Sequence, residues 1–333
     1  MFEHAPSAVE ALKPTFRKRL PLIVAAVTLV GLFFVPGWGG YQMRLKSWTQ
    51  DFAHFPLFAA ITAFMFLLWH GHRTGPLKKA LTVAGIGLGL ALAIELIQPL
   101  VGRGAALSDF LLGAAGTLAV VTVYLSSKSR SLHGRRWLAA CAGLFAAAAI
   151  VPFMVIAADW YRAQREFPIV DSFEQPKELG RWYPEGFAVE HVKEHATDGE
   201  YALRLEVLPQ SGEYPSIFLA DGRMDWSAYA RLSLDVFLEG DKSETLWLRA
   251  DDKPFPRFPD RAQMPLEIKP GKNTIWVDLD VFTMTSSGRK LDSSRIITFG
   301  LFLERPAQGD RLYVDRMYLS GRRRAPVDST SRL

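Results

Sequence analysis

The sequence predicts two fold classes in one chain: an N-terminal all-α polytopic membrane bundle of about five transmembrane helices, then a C-terminal all-β sandwich. Three observations carry this. Residues 20–158 are mostly apolar and 159–333 carry charge at ordinary frequency, so the 49% hydrophobic content averages two unlike halves. The apolar runs approach the ~20 residues a helix needs to cross a bilayer. Beyond residue 168 the apolar period changes to two, the period of strands with one buried face.

Taken in order, the 333 residues divide into five parts. These are a basic arm (1–19), a transmembrane domain (20–158), a juxtamembrane linker (159–167), a β-sandwich (168–320) and a basic, Ser-rich tail (321–333), expected to be disordered. The spans are expected at Leu20–Val35, Phe52–Trp69, Ala80–Val101, Leu107–Leu125 and Trp137–Ala158. The first run ends in Val-Pro-Gly-Trp-Gly-Gly and not in a small-residue cleavage site, so it reads as a retained anchor. Gly85 and Gly89 are spaced to let a neighbouring backbone approach the third span. The one cysteine, Cys141, lies in an apolar run and allows neither an internal disulfide nor a Cys-based zinc site.

Lys and Arg cluster near helix ends, a pattern of membrane orientation that argues against a nucleic-acid partner. The arm and the loops 70–79 and 126–136 carry eleven, against three in the alternate loops (Arg44, Lys46 and Arg103). This bias predicts a multi-pass protein of the cytoplasmic (inner) membrane, with its N-terminus cytoplasmic and residues 159–333 extracytoplasmic.

That orientation gathers the polar residues of the spans at one face. Asp51 and His54 open the second span, Glu95 and Gln98 close the third, and Arg103, Ser108 and Asp109 form the turn into the fourth. Residues three apart share a helix face, which pairs Asp51 with His54 and Glu95 with Gln98. Ionisable groups beside apolar runs are costly in lipid and are functional candidates. The bland readings are helix capping by Asp51 and Asp109, a wetted interfacial His54, and a structural Glu95–Arg103 ion pair. The functional reading is an outer-leaflet site for an anionic lipid or lipid-linked sugar headgroup. In its catalytic version, His54 or Glu95 is a general base, Asp51 orients His54, and Arg103 holds phosphate or carboxylate.

The ordered set Asp51-x2-His54-Phe55, Glu95-x2-Gln98 and Arg103-x5-Asp109, with Gly116 seven residues on, resembles the VanZ-like family over residues 20–125. Phe52 stands where that family often has Lys, and Gly113 where it often has Asn. The resemblance implies a small multi-span membrane fold and an envelope setting more than a reaction. Gly113 and Gly116 share the Asp109 face, which predicts close packing against another helix.

In the second half, period-two runs recur at Tyr201–Val207, Leu232–Leu238, Leu266–Ile268, Ile275–Leu279, Ile297–Leu303 and Leu312–Asp315, with a Pro270-Gly-Lys-Asn turn between two of them. Many short strands and few helix patterns predict a sandwich. Asp171-Ser-Phe-Glu174, Asp198-Gly-Glu-Tyr-Ala-Leu-Arg-Leu205, Asp225-Trp-Ser-Ala-Tyr229 and Leu312-Tyr-Val-Asp-Arg-Met-Tyr-Leu319 resemble galactose-binding-like jelly rolls of carbohydrate-binding modules. Sugar recognition in such modules stacks exposed aromatics on sugar faces, and the candidates are Trp182, Tyr183, Tyr214, Trp247, Phe255 and Phe258. Trp226 and Trp276 read as core. The Pro-rich, charged stretch 249–261 is a loop of the kind that carries function. Asp171, Glu174 and Asp315 are candidate ligands for a structural calcium ion. No phosphate-cradling glycine loop, HExxH or GxSxG is present, and Gly85-Ile-Gly-Leu-Gly89 is membrane packing.

Two functions follow as expectations. One is a cell-envelope membrane protein that binds an anionic lipid or lipid-linked glycan headgroup, with an envelope glycan as partner of its β-domain. The other is an enzyme modifying a lipid-linked envelope precursor at the outer leaflet.

Overall fold

The computed structural model describes residues 28, 31, 44–69, 74–101, 104–219, 225–254 and 256–322. Among them, four helices are long and apolar enough to cross a membrane: Arg44–Leu68, Pro76–Leu100, Leu107–Lys128 and Leu132–Glu166. They correspond to the last four of the five expected spans. The first, 20–35, lies outside the described residues apart from Thr28 and Gly31, as do the basic arm, Arg103, Phe255 and residues 323–333. The chain divides into two compact units, Met1–Gly39 with Lys46–Val155, and Gly40–Leu45 with Ile156–Leu333.

In the first unit, which takes α1 (Arg44–Phe52) from Lys46 on, α1 and α2 (His54–Leu68) are separated at Ala53, which itself keeps right-handed helical angles (φ −58°, ψ −23°). Asp51 therefore sits inside a helical stretch and does not cap the second span. Helix α3 (Pro76–Ile97) begins with proline at its first turn, where a missing N–H costs nothing, and tightens into a 3-10 turn over Gln98–Val101 before Pro99 could break it. Helix α4 (Leu107–Lys128) ends on Lys128, a cation against its carbonyl end. Helix α5 (Leu132–Glu166) runs on through residues 159–166, so the stretch expected as a linker is helical.

Helices α2, α3 and α4 pack on one another. Glycines make this contact possible. A Cβ on Gly116 of α4 would run into the Phe55 carbonyl oxygen of α2, and one on Gly113 would lie 2.7 Å from the Phe58 ring. The α3–α4 approach uses Gly87, whose Cβ would meet Thr117 Cγ2 at 2.7 Å. Gly85 and Gly89, the expected packing glycines, face open space among the described residues, because they lie to either side of Gly87 and not on its face. Phe58, Ile61, Ala91 and Ile94 form the small core, and Leu67, Leu81, Leu92, Leu111 and Val123 are exposed apolar residues among the described ones.

The second unit contains an antiparallel β-sandwich. One sheet orders β3 (Phe187–Val192), β4 (Ala202–Val207), β11 (Arg311–Arg322), β6 (Tyr229–Leu238) and β9 (Gly271–Asp278), with β1 (Ile169–Asp171) also paired to β11. The other orders β2 (Trp182–Glu185), β5 (Ser216–Leu219), β10 (Thr298–Leu303), β7 (Glu244–Asp251) and β8 (Ala262–Ile268). Alternation assigns the faces. Leu203, Leu205 and Val207 of β4 and Leu246, Leu248 and Ala250 of β7 enter one core that also holds the fully buried Trp226. Trp276 does not join them. It is 56% exposed, because its neighbour Val277 takes the inward face of β9.

Candidate functional site

Among the described residues, each unit holds a candidate site. In the first unit, antiparallel helices bring the start of α2, the end of α3 and the first turn of α4 together. His54, Glu95 and Asp109 meet there, each at most 5% exposed. His54 Nε2 lies 3.8 Å from Glu95 Oε1 and 3.7 Å from Asp109 Oδ2. The other atoms of the three groups are held from outside the cluster. His54 Nδ1 is 3.0 Å from the Asp51 carbonyl oxygen, and since a carbonyl only accepts, Nδ1 carries the proton. Glu95 Oε2 accepts the Ala106 N–H at 3.0 Å, and Asp109 Oδ1 accepts the Ser108 hydroxyl at 3.4 Å.

Of the polar residues singled out by sequence, His54, Glu95 and Asp109 converge, and Gln98 is fully buried in the 3-10 turn that follows Glu95. Asp51 meets His54 through its backbone carbonyl, which accepts from Nδ1. Ser108 is exposed and reaches Asp109. Asp109 lies in the third position of α4, after an Ala106 N-cap, and is buried, not a wetted cap. His54 is likewise buried.

In the second unit, a groove of about 380 Å³ crosses the outward face of the β2–β5–β10–β7–β8 sheet. Register builds its floor. Ser216, Phe302, Trp247 and Pro265 form one row across β5, β10, β7 and β8, and Phe218, Gly300, Arg249 and Gln263 form the next. Trp247 and Phe302 stack with centroids 5.7 Å apart and planes 6° from parallel. Trp247 Nε1 donates to Glu304 Oε2 at 2.9 Å, which fixes the indole. Gly300 is required beside Phe218, since a Cβ there would strike its ring and lie 2.8 Å from the Ile217 carbonyl oxygen. The Arg249 guanidinium lies 5.3 Å from the Phe218 ring centroid and bonds Asp251 at 2.7 Å.

The rim is polar and aromatic: Glu185, Tyr214 (50% exposed), Phe258 (66% exposed) and Arg261 line it. Phe258 and Arg261 come from the Pro-rich loop, whose position is fixed by Asp252. Its carboxylate takes both Arg289 nitrogens, Nη1 at 2.6 Å and Nη2 at 2.9 Å.

Of the residues named as sugar-stacking candidates, Tyr214, Trp247 and Phe258 line the groove. Tyr183 is exposed on β2 without lining it. Trp182 is a correction. It is 3% exposed, packs in the core and donates Nε1 to Asp171 Oδ2 at 2.7 Å. Phe218 and Phe302 join the groove's lining; Phe302 is the aromatic at the non-core position of the alternating run 297–303, whereas Phe218 lies in the four-residue strand β5, too short for its alternation to stand out.

The carboxylates proposed for calcium are spoken for by protein donors. Asp171 accepts from Trp182 Nε1, Arg181 Nη1 and the Phe173 N–H. Glu174 accepts the Glu200 and Tyr201 N–H groups. Asp315, in the bulge of β11, accepts the N–H groups of Thr197, Asp198 and Arg316. Their oxygens do not converge; among the described residues only His54, Glu95 and Asp109 bring such ligand atoms within 4.8 Å of one another.

No family model matches the chain, and no curated protein does. Solved structures with a similar β-fold include a family 11 carbohydrate-binding module from Clostridium thermocellum in complex with a β-1,3-1,4-mixed-linked tetrasaccharide. It is 16% identical with a TM-score of 0.37, over 46% of this chain and 95% of that one. A xylan-binding domain of family 22 is 13% identical (TM-score 0.30; 45% and 91% covered). An exo-β-agarase is 14% identical (TM-score 0.38); 47% of this chain is covered, but it spans only 25% of the agarase.

Proposed function

We propose that this chain is a VanZ-like integral membrane protein of the cell envelope, whose jelly-roll β-domain binds a glycan on the extracytoplasmic side. The observation that carries the glycan reading is the groove floored by the Trp247–Phe302 stack. Stacked rings offer an apolar face to the C–H face of a sugar ring, while Glu185, Arg249, Gln263 and Glu304 surround them with hydrogen-bonding groups for hydroxyls. The membrane reading rests on the four apolar helices, and the side on the distribution of Lys and Arg. The convergence of His54, Glu95 and Asp109 supports the VanZ-like reading, because the residues of three separated motifs share one place.

The test uses the full chain in nanodiscs and isothermal titration with β-glucan, galactan and peptidoglycan oligosaccharides. Binding of one class, weakened at least about tenfold by Trp247→Ala, supports the reading; no binding to any of them retires it.

A second reading, an enzyme acting on a lipid-linked envelope precursor, is favoured by the buried His54 between two carboxylates. It predicts a change of lipid or glycolipid mass on overexpression that Glu95→Gln abolishes. An unchanged lipid profile leaves the binding role alone.

A further inference from the structure

We infer that His54 Nε2, Glu95 Oε1 and Asp109 Oδ2 are the protein ligands of a divalent transition metal ion of the zinc class, held within the helical bundle. This inference concerns a different site from the glycan groove and stands independently of it.

Three features of the geometry carry it. The first is separation. At 3.7 and 3.8 Å, the two carboxylate oxygens stand farther from His54 Nε2 than a hydrogen bond of ~2.7–3.2 Å places them. Donors bound at ~2.0–2.2 Å around a tetrahedral ion stand about 3.3–3.6 Å from one another, so shifts of a few tenths of an ångström bring each carboxylate to that separation from Nε2. The three atoms already lie within 4.8 Å of one another.

The second is the tautomer. Because Nδ1–H donates a hydrogen bond to the Asp51 carbonyl, a neutral His54 turns the lone pair of Nε2 toward two carboxylate oxygens. Three electron-pair donors facing one point form an arrangement that a cation satisfies. A ligating histidine is commonly fixed in this way, by its other nitrogen donating to a backbone carbonyl.

The third is the outer support. The Ala106 N–H holds Glu95 Oε2 and the Ser108 hydroxyl holds Asp109 Oδ1, which aims the remaining oxygen of each carboxylate at His54. One imidazole with two carboxylates suits zinc, manganese or iron(II) better than calcium or magnesium, which prefer oxygen alone. Three protein donors leave a coordination position for water or for an anionic oxygen of a ligand.

The test is equilibrium dialysis of the full chain in nanodiscs, prepared without chelator, against Zn²⁺, Mn²⁺, Mg²⁺ or Ca²⁺, read by elemental mass spectrometry. Wild type is expected to bind Zn²⁺ or Mn²⁺ stoichiometrically. His54→Ala, Glu95→Gln and Asp109→Asn are each expected to weaken that binding at least about tenfold, and Glu304→Gln, in the groove, to leave it unchanged. Loading wild type with Co²⁺ should give a visible d–d band that His54→Ala lacks. Should a variant not fold, the wild-type data decide alone. The inference is overturned by a wild type that binds neither Zn²⁺ nor Mn²⁺, as an imidazolium–carboxylate cluster would. It is also overturned by preferential Mg²⁺ or Ca²⁺ binding, or by folded variants that bind as wild type does.

Discussion

Arg181 grips Asp159 through two hydrogen bonds, Nη2 to Oδ1 at 2.8 Å and Nε to Oδ2 at 3.1 Å. Both side chains are buried, and the pair fastens the last turns of α5 to the β-domain within the second unit. The same guanidinium reaches Asp171 at 3.4 Å and Glu178 at 3.8 Å. Arg44 adds a second cation to Asp159 at 3.1 Å, and Arg162 lies 3.8 Å from Glu178. Burial works against the charge of Arg181, but its hydrogen bonds to Asp159 and the neighbouring Asp171 and Glu178 hold its pKa above the usual arginine value. Removing this arginine leaves buried carboxylates without their main cation. Breaking such a pair costs ~3–5 kcal/mol. We expect Arg181→Ala to lose about that much in chemical denaturation of the β-domain signal, and Arg44→Ala, whose guanidinium is the less buried of the two, to lose less. Equal losses would argue against a central place for Arg181.

Asp171 makes this network respond to pH. Burial pushes its carboxyl up from 3.8 to about 7, against the lowering by Arg181 and by the Trp182 and Phe173 donors. A carboxyl whose folded pKa exceeds its unfolded value binds more protons when folded. Its stabilising contribution is full below about 3.8 and is lost as pH rises through about 7. Wild type minus Asp171→Asn should therefore show stability that falls between those two values, measured by melting temperature across pH 4–8. A flat difference would show that the donors, not burial, set the charge of Asp171.

The two candidate sites were legible in the sequence to different degrees, for a physical reason. His54, Glu95 and Asp109 stand out because ionisable residues beside apolar runs are costly in lipid, and helix spacing puts each on an identifiable turn. Which partners each faces is not legible from helix spacing: Glu95 lies beside His54 and accepts from the Ala106 N–H, while its pairing with Arg103 falls outside the described residues. In the β-domain, alternation discloses β4, β6, β8, β9, β10 and β11 but not β2, β3, β5 or β7, nor which face is outward when both carry apolar residues. Ile275-Trp-Val is apolar on both faces of β9, so Trp276 read as core. Trp182 read as a sugar platform because aromatic type says nothing about a buried carboxylate, Asp171, waiting for its N–H. The groove depends on register across four strands, information that no single strand contains.

Within the groove, stacking and hydrogen bonding by Trp247 separate experimentally. Trp247→Phe keeps a ring over Phe302 but loses the donor to Glu304. Trp247→Ala loses both. An aromatic contact of this kind contributes ~0.5–1.5 kcal/mol beyond its buried area. Tenfold in affinity corresponds to about 1.4 kcal/mol. Glycan titration should therefore rank wild type above Trp247→Phe above Trp247→Ala, with the last step the larger. A larger first step would make Glu304 placement, and not the ring face, the main determinant.

The helical unit makes a sharper demand on one glycine than on its neighbours. At Gly116 an added Cβ meets backbone, the Phe55 carbonyl oxygen and the Ala59 nitrogen at 3.1 Å. At Gly87 it meets only the Thr117 side chain, with Cγ2 at 2.7 Å and Oγ1 at 3.0 Å. A side chain can rotate, whereas backbone moves only by separating α2 from α4. Thr117 would rotate at some cost, since its hydroxyl accepts from Thr62 at 3.3 Å. Overpacking typically costs 1–3 kcal/mol, and the rigid site should lie at or beyond the upper end, about 3 kcal/mol. We expect Gly116→Ala to lower the unfolding midpoint of the bundle in mild detergent much more than Gly87→Ala, and Gly89→Ala, which meets nothing within 4 Å among the described residues, to leave it nearly unchanged or raise it. Because Gly116 lies two helical turns from Asp109 on the same face of α4, a separation of α2 from α4 there also draws His54 away from Asp109. Gly116→Ala should therefore weaken binding of Zn²⁺ or Mn²⁺ along with stability, and Gly89→Ala should change neither.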